Sequence, residues 1–177
     1  MNRLLFYFFI TFLAFSCSEE NKKPSMIPKE EFKKYKTPLE KANRGLIKID
    51  KDRIDAYVKR RNWKMQETKA GLRYMIYEKG SGEKINAGEV VELNYKVELL
   101  DGSLCYSSDS LGAKSFRVGQ GGVEAGLEEG ILLLNVGDKA RFIILPFMAH
   151  SLLGDFDKIP PRSIIVYDIE VLRKIHY

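Results

Sequence analysis

The apolar positions of this chain change period twice. From Leu4 to Phe15 they form a continuous run broken at Thr11. From Pro38 to Asn62 they recur at helical spacing: Leu46, Ile47, Ile54, Tyr57 and Val58 fall on one stripe, with charged residues elsewhere. Asp50 or Asp52 is expected to cap the main helix and Asn62 to close it. From Leu72 onward the period becomes two. Leu72 to Tyr77 alternates, and Val90 to Leu99 alternates again with Val91, Leu93, Tyr95, Val97 and Leu99 on one face. Gly80-Ser81-Gly82 and Asp101-Gly102 supply turns, and the segments Ala140–Leu145 and Ser163–Leu172 supply further strands. Val123 to Leu134, rich in Leu and Ile, is the one helical segment among them. The connections are too short for parallel crossovers, so the pattern predicts an α+β domain whose antiparallel sheet packs on one short helix.

The first apolar run is too short to span a bilayer comfortably but suits the core of a signal peptide, and Met1-Asn2-Arg3 gives it a positive start. It ends at Leu13-Ala14-Phe15-Ser16-Cys17, which looks like a bacterial lipobox. Lipidation at Cys17 would place several acyl chains on one residue, enough for stable anchoring. The expected organisation is a lipoprotein signal peptide over 1–16, a flexible tether over 17–37, a basic amphipathic helical segment over 38–64 and a globular domain over 65–177. The tether carries Pro24 and Pro28 and, fully extended, reaches at most about 70 Å. The protein is therefore expected in the cell envelope, lipid-anchored on the periplasmic face or outer membrane. Ser18-Glu19-Glu20 looks a little like an acidic tag for surface exposure.

With Cys17 lipidated, the mature chain keeps Cys105 alone and forms no intramolecular disulfide, so the domain must be held by its core. Charge is unevenly divided. Residues 18–64 carry 15 Lys and Arg against 8 Asp and Glu, a net of +7, whereas residues 65–177 carry 13 against 16, a net of −3. The basic arm lacks interleaved aromatics, which argues against nucleic acid and for solvation with some attraction to anionic lipid. The helical stripe either packs on its own domain, the favoured expectation, or pairs two copies into a homodimer.

The last third holds a series of motifs in order. Asp101-Gly102 and Ser107-Ser108 come first, then Gly126-Leu127-Glu128-Glu129-Gly130, Asn135-Val136-Gly137-Asp138 and Ile159-Pro160-Pro161. From about Gly71 to Ile175 this series resembles the FKBP-type peptidyl-prolyl isomerases. The resemblance implies an FKBP-like twisted antiparallel sheet wrapped around one short helix, preceded here by an N-terminal helix and tether. It also implies an activity that needs no cofactor, metal, nucleophile or acid–base pair: rotation about Xaa–Pro bonds, which isomerise slowly because resonance keeps the amide planar. The partners it implies are proline-containing segments of exported proteins.

Carried across by the resemblance, the pocket comprises Tyr95, Phe116, Val123, Glu124, Leu127, Ile159 and Tyr167, with a peptide-holding backbone N–H at Glu124. Leu127 stands where the family often has tryptophan. The family's Phe-Asp-Ser-Ser is here Cys105-Tyr106-Ser107-Ser108, which removes one aromatic and the carboxylate that helps order the pocket. The tyrosine and glycine of its Ala-Tyr-Gly motif become His150 and Ser151. His150 retains a hydrogen-bond donor, on a side chain type that changes charge within about pH 5–8. The whole chain resembles the gliding-motility-associated lipoproteins of Bacteroidota, which share the anchor, the basic helix ending near Trp63 and the Leu152-Leu153-Gly154-Asp155 loop. Two functions are compatible with these residues: an envelope prolyl isomerase, with turnover reduced by the departures, and a non-catalytic proline-binding chaperone or assembly module.

Overall fold

The computed structural model describes residues 29–175. The signal segment, Cys17 and the first part of the tether lie outside the described residues. The elements in chain order are α1 (Lys29–Arg61), β1 (Gln66–Glu67), β2 (Arg73–Glu78), β3 (Val90–Leu99), β4 (Leu104–Ser107), α2 (Ser108–Leu111), β5 (Lys114–Arg117), α3 (Ala125–Ile131), β6 (Lys139–Ile144), a 3-10 turn (Pro146–Met148) and β7 (Ile165–Ile175).

Helix α1 starts earlier than its sequence suggests. Pro38 reads as a helix start, yet it lies inside the helix, and residues 29–37, assigned above to the tether, are helical. Lysine and glutamate dominate that stretch and are good helix formers. Asp50 and Asp52 are consequently interior residues and not caps. The C-terminus falls where expected. Asn62 takes φ +52°, its N–H donates to the Lys59 carbonyl at 3.1 Å, and the Trp63 N–H donates to the Val58 carbonyl at 3.2 Å. Those two bonds and the Val58 and Trp63 side chains, which pack on the same cluster, make a Schellman stop.

All strand pairings are antiparallel, in the order β1-β2-β6-β7-β3-β4, with β5 also on β3. The outer edge of β3 is divided: Val90–Leu93 pairs with β5, and Lys96–Glu98 with β4. Irregularities at Glu92/Leu93 and Val97/Glu98 bend this long strand.

The inner face of the sheet gathers Val91, Leu93, Tyr95 and Val97 of β3, Ala140, Phe142 and Ile144 of β6, and Ile165, Tyr167, Ile169 and Val171 of β7. Helix α3 lies on this face at very short range. A Cβ on Gly126 would stand 2.4 Å from Ile144 Cγ2, and one on Gly130 would stand 2.4 Å from the Phe142 ring. Glycine one turn apart therefore lets the helix backbone rest directly on β6.

The outer face is apolar where α1 crosses it. Ile54 and Tyr57 pack with Ile143, Leu145, Ile164 and Val166, flanked by Val58, Trp63 and Met65. Residues 164–167 are buried on both faces, which is why that run is continuously apolar. The packing is that of a helix on its own domain, and the compact unit Ala42–Tyr177 takes in the second half of α1. Asp50, buried on α1, accepts a hydrogen bond from Arg162 Nη2 at 2.5 Å. Beyond the helix the same face is polar. Arg141 pairs with Asp168 at 2.9 Å, with its guanidinium 4.7 Å from the Trp63 ring and 4.6 Å from that of Tyr77.

Candidate functional site

The strands deliver Tyr95 from β3, Cys105 and Tyr106 from β4, Phe116 from β5 and Tyr167 from β7. Val123 and Glu124 precede α3, Leu127 lies within it, and His150 and Ile159 come from the loop after the 3-10 turn. Tyr95, Cys105, Phe116, Leu127, Ile159 and Tyr167 all belong to the inner core cluster, against which Tyr106 and Val123 pack. The Tyr95 and Tyr167 rings are 6.4 Å apart and tilted by 45°. The larger cavities among the described residues lie elsewhere. One of about 330 Å³, lined by Tyr77, Lys96 and Asp168 among others, shares Tyr95 alone with this group. One of about 430 Å³ between α1 and the 3-10 turn shares none.

Polar contacts knit the group together. The Tyr167 hydroxyl donates to Glu124 Oε1 at 2.9 Å, and His150 Nε2 lies 3.1 Å from the same oxygen. Glu124 Oε2 is buried and, among the described residues, has no hydrogen-bond partner. Burial first, and then the neighbouring Glu124 charge, push the Tyr167 phenol far above its ordinary range, so it stays a donor.

A second set centres on Asp155. The Tyr106 hydroxyl donates to Asp155 Oδ2, with Asp157 Oδ2 as the alternative acceptor at 3.2 Å. Asp155 Oδ1 accepts the N–H groups of Asp157 at 3.0 Å and Ile159 at 2.7 Å. One carboxylate thus fixes both Tyr106 and the turn that presents Ile159. The hydrogen bond to Asp155 and then burial raise the Tyr106 pKa. Burial opposes ionisation of Asp155, yet the Tyr106 hydroxyl and the two N–H groups outweigh it and hold its pKa below the usual range. A loop carboxylate, Asp155, thus stands against Tyr106, the residue found where the family has its own carboxylate. Cys105 Sγ lies 3.6 Å from the Lys158 carbonyl. Burial foremost, and the Asp155 charge after it, raise its pKa, so it is a packing thiol and not a nucleophile.

Sequence reasoning missed Asp155 and Asp157 as site residues, although an Asp-x-Asp just ahead of Ile159-Pro160-Pro161 is a turn signal. It also missed Ser108, whose Oγ accepts the Tyr95 N–H at 3.1 Å, and Glu128, which accepts the N–H groups of Gly119 at 2.5 Å and Gly121 at 3.0 Å.

Known proteins share this fold. The family model for FKBP-type peptidyl-prolyl cis-trans isomerases matches residues 81–172. The probable FKBP-type isomerase FkpA of Neisseria meningitidis is 31% identical over 129 residues, covering 71% of this chain and 47% of the relative. FK506-binding protein 1A of Emericella nidulans is 37% identical over 87 residues, covering 49% of this chain and 81% of the relative. The crystal structure of FkpA from Escherichia coli superposes with a TM-score of 0.63 at 28% identity, over 85% of this chain and 74% of that one. The chain belongs to the FKBP-type peptidyl-prolyl cis-trans isomerase family. It spans about half the length of the bacterial FkpA-type relatives it matches.

Proposed function

We propose that this protein is a lipid-anchored envelope prolyl isomerase that assists the folding of exported proteins. The observation that carries the isomerase assignment is the convergence of Tyr95, Phe116, Leu127, Ile159 and Tyr167 in one apolar cluster within the family-matched segment. The twisted amide is less polar than the planar one, because its C–N bond has lost double-bond character. An apolar site that excludes water therefore stabilises the twisted form more than the ground state, and no covalent step is needed. Backbone groups near Val123 and Glu124 would hold the peptide, and Asp155 would keep Ile159 in place. The anchor is supported by the apolar run ending at Ser16-Cys17.

A protease-coupled assay on a panel of Xaa-Pro peptides tests the activity. Acceleration that persists after salt washing and disappears on heat denaturation is expected. Absence of acceleration together with peptide binding would instead establish the second function, a proline-binding chaperone. Glu124 favours that alternative, since a carboxylate beside an apolar site opposes desolvation of the substrate. Mass spectrometry of the mature N-terminus tests the anchor: an unacylated product starting beyond Cys17 would refute it.

A further inference from the structure

Glu124 does something that a desolvating site does not require. Its side chain is 10% exposed, and its Oε1 already serves both Tyr167 and His150. If tying those two side chains were its whole task, one oxygen would suffice. Oε2 is buried without any partner among the described residues. A carboxylate has about four acceptor positions, and a buried one left unmatched is unfavourable, so a donor arriving at this oxygen would be gained at full value.

The surroundings specify the donor's charge. Asp155 and Asp157 converge on Tyr106 from the loop that also carries His150. The cations beside the site are Lys158, whose Nζ lies 5.2 Å over the Tyr106 ring, and Lys114, whose Nζ lies 5.5 Å over the Tyr95 ring, against the carboxylates of Glu124, Asp155 and Asp157. The site thus carries more carboxylates than ammonium groups, which attracts a cation and repels an acid. His150, 26% exposed, binds the same carboxylate and is the more exposed partner of that pair.

Resting on the prolyl-peptide function proposed above, we infer that Glu124 is a specificity-determining residue favouring peptides with lysine or arginine immediately before proline. Its free oxygen receives an N–H of the ammonium or guanidinium group.

The test uses the full chain and peptides differing at the residue before proline: lysine, Nε-acetyl-lysine, leucine and glutamate. Both kcat/KM and affinity by calorimetry are measured. Wild type should favour lysine over acetyl-lysine by about tenfold, the size of one charge-assisted hydrogen bond, with glutamate last. The preference should shrink at high salt. Glu124→Gln, which keeps an acceptor for Tyr167, should bring lysine and acetyl-lysine within about twofold, and Glu124→Ile should do the same if it folds. Equal values for lysine and acetyl-lysine in wild type, or the same ranking in Glu124→Gln, would overturn the inference while leaving the isomerase intact. If no peptide is bound or turned over, the prolyl function itself falls, and this inference with it.

Discussion

Asp50 and Arg162 join α1 to the loop that carries Ile159, and Asp50→Asn isolates what that joint contributes. The substitution keeps the shape of the side chain and removes its charge. Asp50 is 5% exposed at the side chain and Arg162 31%, with Nη2–Oδ2 at 2.5 Å. Hydrogen bonds to charged groups contribute about 1.5–3 kcal/mol, and the partial exposure of Arg162 places this one at the lower end, near 1.5 kcal/mol. Arg53 lies 4.0 Å from the other carboxylate oxygen, too far to replace the lost bond. For a unit of this size the midpoint should fall by roughly 5 °C. A double-mutant cycle with Arg162→Met separates the pair from its surroundings. Methionine leaves the positive φ of +57° at residue 162 in place, so backbone strain cancels. Urea unfolding of the four proteins should give a coupling of about 1 kcal/mol. If Ile159 is a wall of the prolyl site, kcat/KM should fall with it, although neither substituted residue belongs to that site. A coupling below about 0.5 kcal/mol, within the error of additivity, would refute the latch. Lowered stability with unchanged kcat/KM would refute its link to the site.

Gly130→Ala should lower the urea midpoint, because a methyl 2.4 Å from the Phe142 ring costs about 1–3 kcal/mol while the gain in helix propensity is at most about 1 kcal/mol; a raised midpoint would show that the helix can lift. Tyr57→Ala empties a fully buried site under α1 and should cost about 3–5 kcal/mol, read from the same urea transitions. The folded pKa of Asp155 is lowered, so its contribution to stability is complete above the unfolded value of about 4 and fades as pH falls through the folded one. Thermal midpoints measured between pH 2 and 5 should therefore drop less steeply in Asp155→Asn than in wild type, and parallel curves would contradict this. Tyr106→Asp, which restores the residue usual in the family, should destabilise this protein by bringing a third carboxylate to Asp155 and Asp157, unless Asp155 is neutralised as well; thermal melts of the single and double variants decide it.

The strands were legible because their alternation reports one buried face, as in β3, and the helix stop was legible because Asn62 takes left-handed backbone readily. The start of α1 was not, since Pro38 resembles a first-turn residue and nothing local reveals that the helix continues before it. The apolar site residues followed from motif order. Their polar partners did not, because those contacts join distant segments. Tyr167 and His150 meet Glu124 from 43 and 26 residues away, and Asp155 reaches Tyr106 across 49. Periodicity carries no information about such pairings. The contact of Asp155 with Tyr106 is invisible until the loop is placed.

The divided outer edge of β3 bears on what the sheet can pair with. A long, flat edge strand is a template on which a passing extended segment adds itself. Here one margin of the sheet is broken into β4 and β5, four residues each, with α2 between them. At the other margin, β1 is two residues long, and its Glu67 is held by Lys51 and Arg73. Backbone pairing with another extended segment is therefore disfavoured at the β4–β5 margin and along β1. An extended chain that touches these edges is released, because no continuous ladder of hydrogen bonds forms to hold it.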